Sequence, residues 1–366
     1  MTLSQTTTFA PGRVEMLGNH TDYNEGYVLA AAIDRGVTAH ATALDIPEVR
    51  LRSDGLWGEV VVPMQLAKPL EGDVRWANYP LGVIQQFLGQ GAPLQGVAID
   101  FTSDMPIGAG LSSSAAIELS TAMALQALLG TEYDAMKLAR LCKAAENEFV
   151  GVNCGLLDQA TSAFGQQDHL VLLDCRVESV ATYPFSEKLR LVVTNSGVSH
   201  ALVGGEYNER RSQCQEAARL LGKAALRDVS MEELKEHRDQ LPDLAYRRAK
   251  HVVGENARVL EAKAAMEAGA PEKLGPLMFA SHESSKTNFE NSTQELNLLV
   301  ELARDTPGVL GSRLSGGGFG GATVSLVEAE AAESVASALA DAYQKRTGIR
   351  SDAFVLRPGA GARMVN

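Results

Sequence analysis

Cysteine is scarce. Cys142, Cys154, Cys175 and Cys214 are the only four in 366 residues, too few for a disulfide framework, and no two stand at the CxxC spacing of zinc ribbons or redox motifs. Long apolar runs are missing as well: none approaches the roughly 18 consecutive residues that cross a bilayer. The opening segment, MTLSQTTTFAPGR, has no basic stretch followed by an apolar one, so no signal peptide is expected. Positive charge is in deficit, with 33 Lys and Arg against 45 Asp and Glu and a formal net charge of −12. Nucleic-acid or anionic-membrane binding rests on a Lys/Arg excess and is not expected. An anionic small molecule remains open, because backbone N–H groups at a helix start can hold phosphate. Together these absences predict a reduced, soluble, cytoplasmic protein.

What is present is an ordinary globular composition, 45% hydrophobic and 21% charged. At about 150 residues per domain the length suggests two domains or one large one. Alternation over Gly96–Phe101 reads as a half-buried strand. Met105–Gly110 breaks the pattern, and Ser112 opens an Ala/Leu-rich helix reaching Leu129. A second helix is expected over Thr131–Phe149 and a third from Gly155, followed by buried strands at Leu170–Leu173 and Leu189–Thr194. From Glu206 the texture changes to long, charged, amphipathic helices at Glu206–Leu221, Asp243–Met266 and Gln294–Ala303. A strand at Ala322–Val327, a helix at Ala329–Thr347 and a strand at Ala353–Leu356 close the chain. The class is mixed α+β. The domain boundary falls between Val180 and Gly205, giving units of 1–190 and 191–366.

Familiar phosphate loops are mostly absent. There is no GxxxxGK[ST]. Gly316, Gly318 and Gly321 satisfy GxGxxG, but a strand follows them where a dinucleotide fingerprint needs a helix. His237-Arg238-Asp239 imitates a protein-kinase catalytic loop, yet Leu244 stands where its Asn should be and no DFG exists. The informative run is Pro106-Ile107-Gly108-Ala109-Gly110-Leu111-Ser112-Ser113-Ser114, between an expected strand and an expected helix. Its glycines let backbone approach an anion, and the helix start offers unpaired N–H groups and the positive end of its dipole. Three serines add hydroxyls for phosphate or a magnesium ion. The bland alternative is a tight turn with a Ser N-cap.

That run, PIGAGLSSSAA, resembles the second motif of the GHMP small-molecule kinases. Gly12–Tyr23 (GRVEMLGNHTDY) resembles the galactokinase signature, usually GRVNLIGEHTDY. Trp76–Tyr79 (WANY), Val150–Gln159 (VGVNCGLLDQ), Glu206–Arg211 (EYNERR) and Leu314–Gly321 (LSGGGFGG) are similar to further galactokinase segments. Six collinear matches span essentially the whole chain.

The resemblance implies a two-lobed GHMP kinase fold, with a ribosomal-S5-domain-2-like N-terminal lobe, a ferredoxin-like C-terminal lobe, and ATP and a sugar meeting between them. Asp158 takes the place of the catalytic aspartate and Arg13 that of the arginine beside it, a pairing that favours a charged carboxylate and screens charge developing at the attacking oxygen. Ser114 and Glu146 take the Mg²⁺ positions, a small ligand set that suits an ion completed by phosphates and water. Gly108, Gly110, Leu111, Ser112, Ser113 and Ser114 would hold phosphates, and Trp76 and Tyr79 would line the adenine pocket. Asn19, His20, Asp22, Gly155 and Tyr207 match the sugar-binding set. On the bland side, Glu146 reads as a solvated helix face, Trp76 and Tyr79 as core, and His20 as a brace for its loop. No oligomeric state follows.

The chain departs from the pattern at Glu15, where Asn is usual, and at Asn19, where the usual Glu contacts the sugar's 6-hydroxyl. Ser284–Asn297 matches its counterpart only loosely. The implied activity is ATP-dependent phosphorylation of galactose at its anomeric hydroxyl. The alternatives are a sugar differing at carbon 6 (galacturonate, a 6-deoxy sugar, arabinose) and a non-catalytic sugar-sensing regulator.

Overall fold

The computed structural model describes residues 3–55, 58–106, 110–199 and 203–365; Gly108 lies outside them. The chain opens with two long antiparallel strands, β1 (Gln5–Leu17) and β2 (Tyr27–Leu44). Every residue of β1 from Phe9's neighbour Ala10 to Leu17 is buried, so the strand lacks the polar–apolar alternation that marks a half-exposed one. Next come β3 (Glu48–Ser53), β4 (Val60–Pro63), α1 (Asn78–Gly89), β5 (Gly96–Ser103), α2 (Ser113–Leu129), α3 (Ala135–Ala144), α4 (Leu157–Phe164), β6 (His169–Asp174) and β7 (Ser179–Pro184). The first sheet has the order β12-β1-β2-β5-β3-β4, with β6 joining β2 and β7 joining β6. Its β12 (Arg363–Met364) comes from the far end of the chain.

The second half supplies β8 (Leu189–Ser199), α5 (Val203–Leu220), α6 (Met231–Glu236), α7 (Asp243–Glu267), α8 (Leu274–Ser284), α9 (Gln294–Arg304), β9 (Val309–Ser315), β10 (Gly320–Glu328), α10 (Ala332–Thr347) and β11 (Ala353–Leu356). Its sheet is antiparallel throughout, in the order β11-β8-β10-β9. Helices separate β8 from β9 and β10 from β11, which is the strand order and alternation of a ferredoxin-like unit. The largest apolar cluster runs through both sheets, from Val14 and Leu51 in the first to Leu191 and Val324 in the second.

Two expected helices differ in outline. The one expected over Thr131–Phe149 starts at Ala135, where Asp134 caps the Lys137 N–H, and after Ala144 it widens into a π turn, Ala145–Val150. Wide turns of this kind recur at functional positions, and this one carries Glu146. The helix expected from Gly155 begins at Leu157, so Gly151–Leu156 form a connector.

Helix α8 meets β9 glycine to glycine. A Cβ at Gly275 would overlap the Leu310 carbonyl, and one at Gly311 would overlap the Gly275 carbonyl. This approach helps set the place of Ser281, Ser284 and Ser285, which bond to Glu255, His251 and Asn19 respectively. Alanine is intrinsically the better helix residue by roughly 0.5–1 kcal/mol, so Gly275→Ala separates propensity from packing. We expect a loss of about 1–3 kcal/mol, the usual cost of overpacking, read from denaturant unfolding; a gain would mean the two backbones do not touch.

Candidate active site

Arg13 and Asp158 stand 145 positions apart and meet in a two-pronged ion pair, with Nε to Oδ1 and Nη2 to Oδ2 both at 2.7 Å. Arg13 also donates from Nη1 to the Gly110 carbonyl at 2.9 Å, and its own N–H donates to the Leu111 carbonyl. β1 is thereby fastened to the turn that opens α2. Ser112 sits in the left-handed region at φ 57° and makes no side-chain cap to its helix; its hydroxyl donates instead to Asp158 Oδ2. The N-cap alternative therefore does not hold for this serine.

Arg13 and Ser112 of this trio line a cavity of about 580 Å³. Its lining includes Arg13, Trp76, Tyr79, Gly110, Leu111, Ser112, Ser113 and Ser114, together with Ser315 to Gly321 of the β9–β10 turn. Trp76 packs edge-on against Phe101, and its buried indole N–H has no partner among the described residues. Strand before and strand after make the glycine run a hairpin turn, in keeping with the rejection of a dinucleotide fingerprint. Phe319 adopts φ 58° there, and with Ser112 it puts two non-glycine residues in a costly conformation on one cavity wall, as functional sites commonly do.

Asp22, His20, Gly155 and Tyr207 gather beside Asp158. A Cβ at Gly155 would overlap the Asp22 carboxyl group, so only glycine lets that carboxylate lie against the connector. Burial, reinforced by Glu15 and Asp158, pushes the Asp22 carboxyl up to about 6. The His20 ring stands 5.1 Å from the Tyr207 ring and 4.5 Å from Phe289. Its two nitrogens are both committed, Nδ1 to the Tyr23 hydroxyl and Nε2 to the Gly317 carbonyl, each at 2.9 Å. A carbonyl only accepts, so Nε2 carries the proton. Burial lowers the ring to about 3 and keeps it neutral. The geometry is that of the loop brace.

Glu146 is buried and accepts from Gln159 Nε2 at 2.7 Å and from the Cys154 thiol at 3.4 Å. The solvated-face alternative fails. Burial first, then the neighbouring Asp158, raises its carboxyl to about 7. The same Gln159 amide donates to Glu118, which is also buried and which the sequence reading did not single out; its other oxygen has no partner among the described residues.

Asn19 departs most from expectation. Its side chain is 1% exposed and is turned into the protein. Nδ2 donates to the Gly316 carbonyl at 2.8 Å and to Glu15, while Oδ1 accepts from Asn291 Nδ2 at 2.8 Å and from Ser285. With both ends of the amide held, the geometry does not carry the expected contact with a sugar's 6-hydroxyl. Glu15 in turn pairs with the fully buried Arg313.

The backing of this loop comes from α7 and was missed. Glu255 accepts from the Gly18 and Asn19 N–H groups at 2.9 and 3.0 Å, from Ser281, and from Arg258 at 2.6 Å. His251 holds the Asn19 carbonyl from Nε2. Arg248, His251, Glu255 and Arg258 recur every three or four residues, and that stripe, within what the sequence showed only as a charged amphipathic helix, is the signal that could have found them. Burial alone would raise the Glu255 carboxyl, but Arg258 and the other cationic and N–H neighbours bring it down to about 2.

Comparison with known families matches three regions of the chain. Residues 78–166 match the GHMP kinases N terminal domain, 262–345 the GHMP kinases C terminal domain and 3–43 the galactokinase galactose-binding signature. The chain is 42% identical to the galactokinase of Glaesserella parasuis, covering 99% of this chain and 95% of that one. It is 43% identical to that of Bos taurus, covering 91% and 86%. It belongs to the galactokinase family. The fold superposes on a Lactococcus lactis galactokinase complexed with galactose at a TM-score of 0.94, with 32% identity over 100% of this chain and 96% of that one. Mevalonate kinase from Methanococcus jannaschii shares the fold at a TM-score of 0.64 and 19% identity, covering 99% and 98%. The expected GHMP kinase fold is thus the observed one.

Within this family member Glu255 offers a stability test. Its depressed pKa means that its contribution is fully present above about 4.5, the ordinary value, and is lost as pH falls toward about 2. Glu255→Gln leaves Arg258 without its charge partner and should cost about 3–5 kcal/mol near neutral pH. The gap from the parent protein should narrow below about pH 4.5 in urea unfolding; a gap that stays constant with pH would mean the charge is irrelevant.

Proposed function

We infer that this chain transfers the γ-phosphoryl group of ATP to the anomeric hydroxyl of galactose, giving ADP and galactose 1-phosphate. The observation that carries the reading is the Arg13–Asp158–Ser112 trio, placed where the roughly 580 Å³ cavity meets the Asp22, Gly155 and Tyr207 cluster. The galactose-bound relative of the same fold supports the choice of sugar. Asp158, with 26% of its side chain exposed, is open to an incoming hydroxyl and accepts its proton as the O–P bond forms. Arg13 fixes the carboxylate plane and places positive charge beside the attacking oxygen, so catalysis is chiefly positioning and electrostatics. Gly110 to Ser114 present backbone N–H groups and hydroxyls to the phosphates, and Trp76 and Tyr79 close over the base. Asp22 accepts from sugar hydroxyls, with Gly155 and Tyr207 walling the ring. His20 and Asn19, expected as sugar ligands, enter this reading as supports of the loop that bears Asp22.

Mg²⁺ fits the residues present. Glu146 is a buried carboxylate that no described Lys or Arg salt-bridges, and Ser114 offers a hydroxyl at the cavity wall. The ion would supply charge neutralisation on the phosphates. The reading assigns residues 1–190 to the sugar and phosphate motifs and 191–366 to the glycine turn and the helices behind it, with the tail returning to β1. The setting is cytoplasmic, with no nucleic-acid or membrane partner.

Two measurements test this function. Asp158→Asn keeps the shape and removes the base, and should lower kcat by about 10²–10⁴ in an ADP-release assay; unchanged turnover takes Asp158 out of the mechanism. The same assay run over galactose, galacturonate, a 6-deoxy sugar and arabinose decides the acceptor, and absence of turnover with all four would favour the regulator. Asp22 accepts from sugar hydroxyls at both oxygens only when ionised, since protonation turns one oxygen into a donor, and its carboxyl sits at about 6. Galactose affinity, measured calorimetrically without nucleotide or metal, should therefore fall as pH drops through about 6, approaching tenfold per pH unit. His20, at about 3, does not titrate in that range. A flat profile would remove Asp22 as the acceptor.

A further inference from the structure

The loop after β1 and the β9–β10 glycine turn belong to different sheets, yet side chains of the first bind carbonyls of the second. Asn19 Nδ2 donates to the Gly316 carbonyl at 2.8 Å, and His20 Nε2 donates to the Gly317 carbonyl at 2.9 Å. Asn291 ties both pieces from behind: its Nδ2 reaches Asn19 Oδ1 at 2.8 Å and the Gly317 carbonyl at 3.1 Å, and its own carbonyl accepts from the Phe319 N–H at 2.7 Å. One end of this assembly carries Asp22. The other end, Gly316 to Phe319, lines the cavity that holds Ser112 to Ser114.

We propose that Asn19 is a positioning residue that locks the Asp22-bearing loop to the glycine turn through its bond to the Gly316 carbonyl, so that sugar and nucleotide binding are coupled. The inference rests on the kinase reading above and goes beyond it, since that reading needs each site but no link between them. Three observations favour Asn19 as the link. It is buried, with both ends of its amide occupied, so its energy depends on where the glycine turn sits. The Gly316 carbonyl belongs to the residue whose Cβ position lies 3.8 Å from Arg13 Nη2, the guanidinium that grips Asp158. Finally, the bond needs a donor at position 19. An ionised glutamate only accepts and would leave the Gly316 carbonyl buried without it, whereas the amide donates to that carbonyl and to Glu15 at once. The carboxylate at position 15 and the amide at position 19 thus work as one unit, with Arg313 neutralising the carboxylate.

A ligand that orders the Asp22 loop then pre-orders the glycine turn, and the effect is reciprocal by linkage. The test measures affinity for a non-hydrolysable ATP analogue with Mg²⁺, by calorimetry, with and without saturating galactose. In the parent protein galactose should tighten the analogue at least about fivefold, the lower end of ordinary couplings. Glu15→Asn keeps the Asn19 donor and should retain most of that factor. The double variant Glu15→Asn with Asn19→Glu preserves the carboxylate–amide pair and the net charge but removes the donor at 19, and its factor should fall at least threefold. The analogue alone, without galactose, should still bind it within about threefold of the parent. Asn19→Asp, nearly isosteric, should behave likewise.

A coupling factor of one in the parent protein overturns the proposal, even if every variant misfolds. So does full coupling in the double variant, or a loss of analogue affinity that is the same with and without galactose, which would make Asn19 a wall of the nucleotide cavity only. A parent protein that turns over galactose without coupling defeats this inference alone. One that neither binds nor phosphorylates galactose defeats the function reading instead.

Discussion

The pairing of Arg13 with Asp158 is the constraint around which the site is arranged. It joins β1 to the first turn of α4, and through the Gly110 and Leu111 carbonyls it also fixes the turn that opens α2. One guanidinium thereby places three sequence motifs about a single carboxylate. Arginine suits the task because its planar fork meets both carboxylate oxygens while a further N–H reaches elsewhere. A lysine would offer one point charge and leave the Asp158 plane undetermined. The left-handed Ser112 belongs to the same arrangement, since that backbone conformation accompanies a hydroxyl aimed at Asp158 Oδ2 in place of its own helix.

Behind this centre the protein buries more charge than stability alone would favour. Glu15 with Arg313 and Glu255 with Arg258 lie at or near zero exposure on the carboxylate side. Desolvating such pairs costs several kcal/mol per ion and often exceeds the attraction regained. What they provide is placement. The Gly18 and Asn19 N–H groups point at one carboxylate oxygen of Glu255, and the left-handed His20 that follows is held at both ring nitrogens. So many directional partners tie the position of the loop to theirs, and Asp22 moves with it.

The sequence was legible where chemistry repeats and opaque where burial is complete. Ala353–Leu356 and the helix ending at Thr347 lie where periodicity placed them. β1 and β2 were not read as strands at all, because β1 is covered on both faces along its second half and shows no alternation. The motif residues Arg13, Asp158, Trp76, Tyr79 and Gly110 to Ser114 do come together, although no local pattern says that position 13 should meet position 158. Resemblance supplied that juxtaposition. At Asn19 it left out what the residue itself adds: unlike an ionised glutamate the amide can also donate, and Gly316 offers a carbonyl at 2.8 Å. Ser285, Asn291, His251 and Glu255 stayed hidden because each makes its decisive contact across more than 200 residues of chain.

The electrostatics of the site follow from the same burial. Asp22, Glu118 and Glu146 all have carboxyls raised above their ordinary values, chiefly by desolvation and then by neighbouring carboxylates: Glu15 for Asp22, Glu146 for Glu118, and Asp158 for all three. Arg13 is already committed to Asp158, so the cluster holds more latent negative charge than positive. A neutral sugar enters such a place without penalty and offers hydroxyl donors to the carboxylates. A nucleotide triphosphate does not, unless its charge is met by backbone N–H groups at the start of α2 and by an accompanying cation. The acidity that weighs against nucleic acid at the scale of the whole chain therefore acts locally as a filter. In the proposed reaction it would favour an uncharged acceptor beside Asp22 and would confine the phosphates to the stretch Gly110 to Ser114, where dipoles rather than side-chain charges receive them.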